Sequence, residues 1–370
     1  MVGGGQGAFI GGVHRMAARL DGRFTLVAGA LASEPGRALA SAEALAIRGY
    51  GDFAAMIAGE AAREDGAEAV AIVTPNHLHH APARAALLAG LHVICDKPLA
   101  LDIAQAEDLR ACAAAAGRIF VLTHNYAGYP MIRQARAMVA EGALGRLRIV
   151  QAEYAQDWLC AALEEQGHKQ ASWRLDPARA GLGGALGDIG SHAHQLAEFV
   201  TGLAVESVLA DLHSFVPGRR LDDNAHLLLR FEGGARGMLW LSQVAPGAQN
   251  DLRLRVHGET AALDWSHQQP DLLLHAPLGE APRLLRRGGP DLHPAAGHAS
   301  RLPGGHPEGY LEAFAQLYSD AAEQITAWRE GRDPDPLAMD APGLEAGLRG
   351  LRFIAAAVRS AAEGGVWTRL

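Results

Sequence analysis

A chain of 370 residues, 49% hydrophobic and 20% charged, carries enough apolar material for a substantial core and is too long for one ordinary domain, so two are expected. Its formal charge of -8 supplies no pull toward nucleic acid or an anionic membrane surface, which leaves a small, neutral or locally neutralised molecule as the expected partner. Cys95, Cys112 and Cys160 form no CxxC pair, and no leader-like start or membrane-length apolar run is evident, so a reducing, cytoplasmic setting is expected.

In chain order, Gly3-Gly4-Gly5-Gln6-Gly7-Ala8 opens the sequence. Apolar strand-like runs follow at 24–28, 69–73, 92–94 and 119–122, and alanine-rich helical segments lie at 35–45, 52–63, 79–89 and 103–116. Continuous apolar strands, each followed by a helix, predict a doubly wound parallel sheet covered on both faces. Near Tyr126 the rhythm changes. A helix is predicted over 131–141, a turn at Gly142-Ala143-Leu144-Gly145 and a strand over 147–154. Three more strands at 225–231, 236–242 and 252–257, joined by short turns, predict a mostly antiparallel sheet in a second, α+β domain. Residues 276–309 show no period and are rich in Gly, Pro, Arg and His, so a mobile flap or oligomer arm is expected there. Two helices, 307–330 and 342–363, close the chain. The expected division is a dinucleotide-binding domain over 1–125 and a substrate-binding and oligomerisation domain over 126–370, whose closing helices are free to pack back on the first.

Gly3, Gly5 and Ala8 match G-x-G-x-x-A, where the first glycine permits a tight turn, the second admits a pyrophosphate and the small third residue allows close helix packing. The backbone N–H groups of the helix start, at Phe9 and Ile10, then face the phosphates. Two features depart from the pattern. Only Met1 and Val2 precede Gly3, where a buried strand of about five residues normally stands, and a natural start further upstream is the expectation. After the second strand no carboxylate stands directly at the strand end. Ser33 with Arg37 could hold a 2'-phosphate, whereas Glu34 could reach an unphosphorylated ribose, so both NAD and NADP stay open. Ser33 is also expected to cap the next helix.

The chemistry sits in two segments. Ile94-Cys95-Asp96-Lys97-Pro98 places a lysine beside a carboxylate where a strand exits, and Gly187-Asp188-Ile189-Gly190-Ser191-His192 sets Asp188 and His192 at helical i, i+4 spacing. These resemble motifs of the Gfo/Idh/MocA oxidoreductase family (glucose-fructose oxidoreductase, inositol dehydrogenase, rhizopine catabolism). Thr74-Pro75-Asn76-His77-Leu78-His79 is similar to that family's T-P-N-x-x-H loop, Asp96-Lys97-Pro98 to its E-K-P with Asp for Glu, and residues 184–192 to its G-x-L-x-D-x-G-x-H segment. The Gly142-Ala143-Leu144-Gly145 turn and the closing Glu363-Gly364-Gly365 extend the likeness along nearly the whole chain.

The resemblance implies hydride transfer between a nicotinamide and a hydroxyl-bearing carbon, with Lys97, Asp188 and His192 around the substrate. Histidine titrates near neutrality and is the expected acid/base, Lys97 the stabiliser of alkoxide charge, and Asp188 an orienter of the imidazole or a second hydroxyl-binding group. Thr74, Pro75, Asn76, His79, Asp96 and Lys97 are expected on the cofactor side, at the carboxyl ends of parallel strands. Lys169, Trp173 and Arg174, with Asn125 and Tyr126, offer the donors and aromatic face suited to a polyol or sugar ring, and Asp157 with Trp158 are weaker candidates. No metal is implied; a zinc site from Asp188, His192 and His194 lacks a second ligand cluster. The expected activity is therefore an NAD(P)-dependent dehydrogenase of a sugar, polyol or inositol-like compound, as a homo-oligomer formed through the second domain's sheet. The alternatives are a redox-neutral lyase or glycosidase with a retained cofactor, and a non-catalytic cofactor-binding regulator.

Overall fold

The computed structural model describes residues 1–370. Two compact units emerge: Met1–Gly128 with Tyr310–Leu348, and Tyr129–Gly309 with Arg349–Leu370. The division is thus not one cut near Tyr126. The chain leaves the first unit at Gly128, returns to it as the helix beginning at Tyr310, and leaves again part-way along its last helix.

In the first unit, β1 (Val2–Gly3), α1 (Phe9–Leu20), β2 (Ala28–Gly29), α2 (Pro35–Glu43), β3 (Arg48–Gly49), α3 (Phe53–Ala61), β4 (Ala69–Val73), α4 (His80–Leu88), β5 (His92–Cys95), α5 (Ile103–Ala116) and β6 (Phe120–Leu122) alternate as expected. The parallel order is β1-β4-β5-β6, β2 pairs with β3, and Val2 bridges to Ala30. The predicted strand over 24–28 shrinks to Ala28–Gly29. The reason is local: Met1 and Gly3 exchange hydrogen bonds with Ala28 and Ala30, and no strand lies beside 24–27 to complete a ladder on that side. Those residues border a cavity of about 810 Å³ lined by Leu26, Ile57, Val70, Ile94 and Tyr318. α11 (Tyr310–Glu330) sends Phe314, Leu317, Tyr318 and Ala321 into a core with Val13, Ala17, Ile94 and Val121. Its apolar spacing and its share of that core explain why the chain returns here.

The second unit contains α6 (Pro130–Ala140), β7 (Leu147–Ala155), α7 (Lys169–Arg174), α8 (Pro177–Ala180), a π-helical turn (Leu186–Gly190) running into α9 (Ser191–Thr201), β8 (Val205–His213), β9 (Asn224–Phe231), β10 (Arg236–Ser242), β11 (Asp251–Gly258), β12 (Ala261–Ser266), β13 (Leu272–Pro277), β14 (Arg283–Arg286) and α10 (Pro294–His298). α12 (Leu344–Ala362) and β15 (Thr368–Arg369) complete the chain. Nine strands pair in the order β14-β13-β12-β11-β7-β10-β9-β8-β15. All pairs are antiparallel except β7 with β10, held in register from Ile149–Arg236 to Ala155–Ser242. Alternation along the strands buries Val150, Ala152, Leu227, Leu229, Leu239, Leu241, Leu254 and Val256, and turns Ile149, Leu228 and Met238 to solvent.

The segment 276–309 is built into the second unit by strand pairing and buried polar contacts. β14 extends the sheet from β13, and Arg287, fully buried, donates to Asp271 (2.8 Å), Glu308 (2.8 Å) and the carbonyls of Leu302 and His306. Glu308 also accepts from the Arg301 and Leu302 N–H groups. One arginine satisfies loop groups that carry no periodic pattern, which is why sequence periodicity missed the order. Removing such a buried partner leaves an unpaired charge and costs about 3–5 kcal/mol.

Candidate active site

In the first unit the carboxyl ends of β1, β4, β5 and β6 carry, side by side, the glycine loop, Thr74-Pro75-Asn76, Asp96-Lys97-Pro98 and Thr123-His124-Asn125. Gly3, Gly4 and Gly7 have φ of +77°, +75° and +76°, which side-chain-bearing residues adopt poorly. A Cβ on Gly5 would stand 2.6 Å from the Leu31 carbonyl oxygen. The loop, glycine at four of the five positions from 3 to 7, is thus a cradle of backbone leading into the helix-start N–H groups of α1 at Phe9 and Ile10, a surface matched to a dinucleotide's pyrophosphate. Phe9 is exposed, whereas Ile10 also packs on the core. The close helix approach expected at Ala8 occurs one turn later: a Cβ on Gly11 would lie 2.3 Å from the Gly4 Cα. Ala8 is the N-cap residue that precedes α1.

Glu34, not Ser33, caps α2. Its carboxylate accepts from the Gly36 (2.8 Å) and Arg37 (2.7 Å) N–H groups, and these bonds hold it below the usual carboxylate range. Ser33 and Arg37 are exposed around it. Asp96 accepts from the Lys97 N–H (2.9 Å) and the Thr123 hydroxyl (3.2 Å), which fixes the strand exit where half-buried Lys97 stands. His79 is fully buried with its two ring nitrogens 2.7 Å from the Pro98 carbonyl and 2.8 Å from the Thr74 carbonyl. Both nitrogens are spent on the backbone, so this residue ties the Thr74 and Lys97 loops together and presents no nitrogen to a ligand. Asn125 is 2% exposed and its amide nitrogen finds no acceptor; Tyr126 is buried beside it. Sequence reading missed His14, buried on α1 and bonded through Nδ1 to the Tyr318 hydroxyl (2.8 Å); burial lowers the pKa of the His14 imidazole.

In the second unit, Asp188 and His192 do not share one α-helical face. Asp188 lies in the π-helical turn and His192 in the first turn of α9, and π-bulges of this kind are enriched at functional sites. Asp188 is no cap: Asp222 accepts from the Gly184 (2.8 Å) and Leu186 (2.7 Å) N–H groups, and its burial pushes its own pKa up to about 6. The Arg174 guanidinium lies 3.3 Å from Asp188 Oδ2, and the Gln243 amide donates to the same oxygen at 3.0 Å. Arg174 also donates to Gln170 and stacks 4.2 Å over the Trp173 ring. His192 is buried, its ring 6.3 Å from that of Tyr154.

Behind Gln243 runs a chain of side chains. Gln243 donates to Gln156 Oε1 (3.2 Å), as does the Trp158 indole (2.9 Å), and Gln156 and the Tyr154 hydroxyl both donate to Asn250 Oδ1 (2.6 and 2.7 Å). Gln156, Gln243 and Asn250 carried no sequence signal beyond lying just past strand ends. Lys169 stands exposed at the first residue of α7 and takes no part in this network. Asp157 accepts from the Gly247 N–H, and His194 stacks on Phe353 at 4.2 Å beside Glu198.

Residues 1–124 match the family described as "Oxidoreductase family, NAD-binding Rossmann fold", and 132–264 match the GFO/IDH/MocA C-terminal domain. The chain is 36% identical over 375 residues to the uncharacterized oxidoreductase YfiI of Bacillus subtilis, covering 99% of this chain and 95% of that protein. Among solved structures it is similar to an oxidoreductase from Sinorhizobium meliloti (49% identity, TM-score 0.90, covering 99% and 98% of the two chains). It is also similar to an inositol dehydrogenase homolog from Azotobacter vinelandii complexed with NADH and myo-inositol (39%, TM-score 0.92, 100% and 96%).

Proposed function

This chain belongs to the Gfo/Idh/MocA family of NAD-binding oxidoreductases, and from that premise we propose that it oxidises a ring hydroxyl of a cyclitol or sugar, with Lys97, Asp188 and His192 as the catalytic set. The carrying observation is Asp188 held by Arg174 and Gln243 in the π turn that runs into α9, four residues before the buried His192. The nearby donors and the Trp173 face suit a neutral ring with many hydroxyls, and the A. vinelandii homolog with myo-inositol bound is consistent with that class.

The glycine cradle, the α1 amides and Asn125 fit a nicotinamide dinucleotide, which supplies the hydride acceptor when bound. His192 takes the hydroxyl proton as hydride leaves the same carbon, and Lys97 stabilises the oxygen as its charge grows. Asp188 accepts from a hydroxyl of the substrate. The ionised Glu34, which caps α2 in the loop after β2, disfavours a 2'-phosphate, so NAD is preferred to NADP. The exposed sheet face bearing Ile149, Leu228 and Met238, with Glu153–Arg255 beside it, packs on a second copy, and the three free thiols fit the cytoplasm.

The test is a panel of inositols, sugars and glycosides assayed with NAD and NADP separately by nicotinamide absorbance. The expected result is NAD reduction with a ring polyol. No reduced cofactor with any substrate, but product from a glycoside, would replace this reading with the redox-neutral one.

A further inference from the structure

We infer that Trp158 and Gln243 are positioning residues that lock Asp188 as an ionised hydrogen-bond acceptor, so that the catalytic proton travels through His192 and not through Asp188. The inference rests on the function proposed above and adds a role for residues outside the catalytic set.

The direction of one hydrogen bond fixes the others. Amide side chains can turn end for end, and a tyrosine hydroxyl can donate or accept, so most members of the network accept either orientation. The indole N–H of Trp158 can only donate. Its partner at 2.9 Å must therefore be the oxygen of Gln156, which places the Gln156 nitrogen toward Asn250 and makes that contact, at 2.6 Å, an oxygen of Asn250. With Gln156 Oε1 fixed as an acceptor, the Gln243 group 3.2 Å away must be its nitrogen, and the same nitrogen stands 3.0 Å from Asp188 Oδ2. Gln243 itself is 1% exposed, and its backbone is pinned through its N–H to the Asp223 carbonyl (2.9 Å) and through its carbonyl to the Leu159 N–H (3.1 Å), so the amide cannot swing away.

Asp188 Oδ2 thus faces two donors, Gln243 and Arg174, neither of which can accept. Two donors on one oxygen favour the carboxylate over the neutral acid, whose Oδ2 carries less charge whichever oxygen holds the proton. The charged and titratable groups that pair with Asp188 or stand on the elements beside it in this unit include Arg174 from α7, His192 on α9, Tyr154 on β7 against His192, and Asp222 at the start of the π turn; β10 leads into the neutral Gln243. Of these, Arg174 reinforces the carboxylate. His192, one turn on, is left as the group able to exchange a proton.

The experiment uses the full-length protein with NAD bound, aspartate labelled with ¹³C at the side-chain carboxyl and the Asp188 signal assigned by its loss in Asp188→Asn. In the unmodified protein the signal is expected to stay at its carboxylate position from about pH 5 to pH 8. In Trp158→Phe, which keeps a ring but removes the one-way donor, and in Gln243→Leu, which removes the amide donor to Asp188, the titration is expected to enter that window. The kcat/KM for substrate at its acid end then falls about tenfold, with KM for NAD unchanged. Identical Asp188 titrations in all three proteins, or a protonated Asp188 near neutrality in the unmodified one, would overturn the inference. Gln243→Leu decides the matter alone if Trp158→Phe does not fold. The NMR readout needs no turnover, so a protein that oxidises no polyol yet shows these titrations contradicts the proposed reaction and spares the lock.

Discussion

In the first unit the ligand-facing edge is made of backbone: three glycines at positive φ, helix-start amides and a histidine spent on two carbonyls. In the second it is made of side chains, with Asp188 reached by Arg174 from α7 and Gln243 from the end of β10, and with Trp158, Gln156 and Asn250 behind them. A backbone cradle reads any dinucleotide phosphate alike and tolerates no added side chain. A side-chain network can be re-dressed for one substrate or another while the cradle stays the same. The difference teaches where conservation of shape and freedom of specificity reside in one chain.

The largest effect that could break this comparison is expected at Gly11. Gly11→Ala puts a methyl 2.3 Å from the Gly4 Cα, backbone against backbone, so α1 must move away from the loop. A stability loss of about 3 kcal/mol is expected together with loss of NAD binding, read by thermal unfolding and by cofactor fluorescence. Unchanged NAD affinity would show that the cradle is not held by that contact.

Two buried carboxyls sharpen the contrast through pH. Glu60 in the first unit meets the Arg48 guanidinium and the Tyr50 hydroxyl, and its pKa is lowered to about 2. Asp222 in the second meets backbone amides without a cation, and burial raises its pKa to about 6. A lowered carboxyl stabilises the fold above its unfolded pKa and loses that contribution as pH falls, here from about 4.5 toward about 2. A raised one does the reverse: its cost appears as pH rises from 3.8 through about 6, and amounts to about 3 kcal/mol at neutrality. Thermal unfolding of Glu60→Gln and Asp222→Asn against pH checks the signs. The Glu60→Gln deficit is expected to shrink in acid, and the Asp222→Asn variant to gain on the unmodified protein between pH 4 and pH 6. Parallel pH curves for either variant would contradict the assignment. The smallest effect is expected for Glu34→Gln, which removes an exposed charge and shifts the kcat/KM ratio several-fold from NAD toward NADP.

The same division explains what the sequence disclosed. Gly3 and Gly5, the Thr74 loop, Asp96-Lys97 and the 187–192 segment are contiguous, so backbone demands left a local pattern, and the alternation of strand and helix gave the fold class. Gln243 and Asn250 join Asp188 only after distant strands align, and a glutamine past a strand end has no pattern of its own. Arg287 is hidden in the same way: its partners Asp271 and Glu308 lie 16 and 21 residues off. The 24–28 strand failed for another reason, since residue type favoured it and only the absence of a ladder partner decided otherwise.

The central claim is that hydride passes from a ring carbon to the nicotinamide. Its most direct test supplies NAD with cyclitols and sugars deuterated on every ring carbon and weighs the reduced cofactor by mass spectrometry. One deuterium on the reduced nicotinamide is the predicted result; reduced cofactor without label would contradict it.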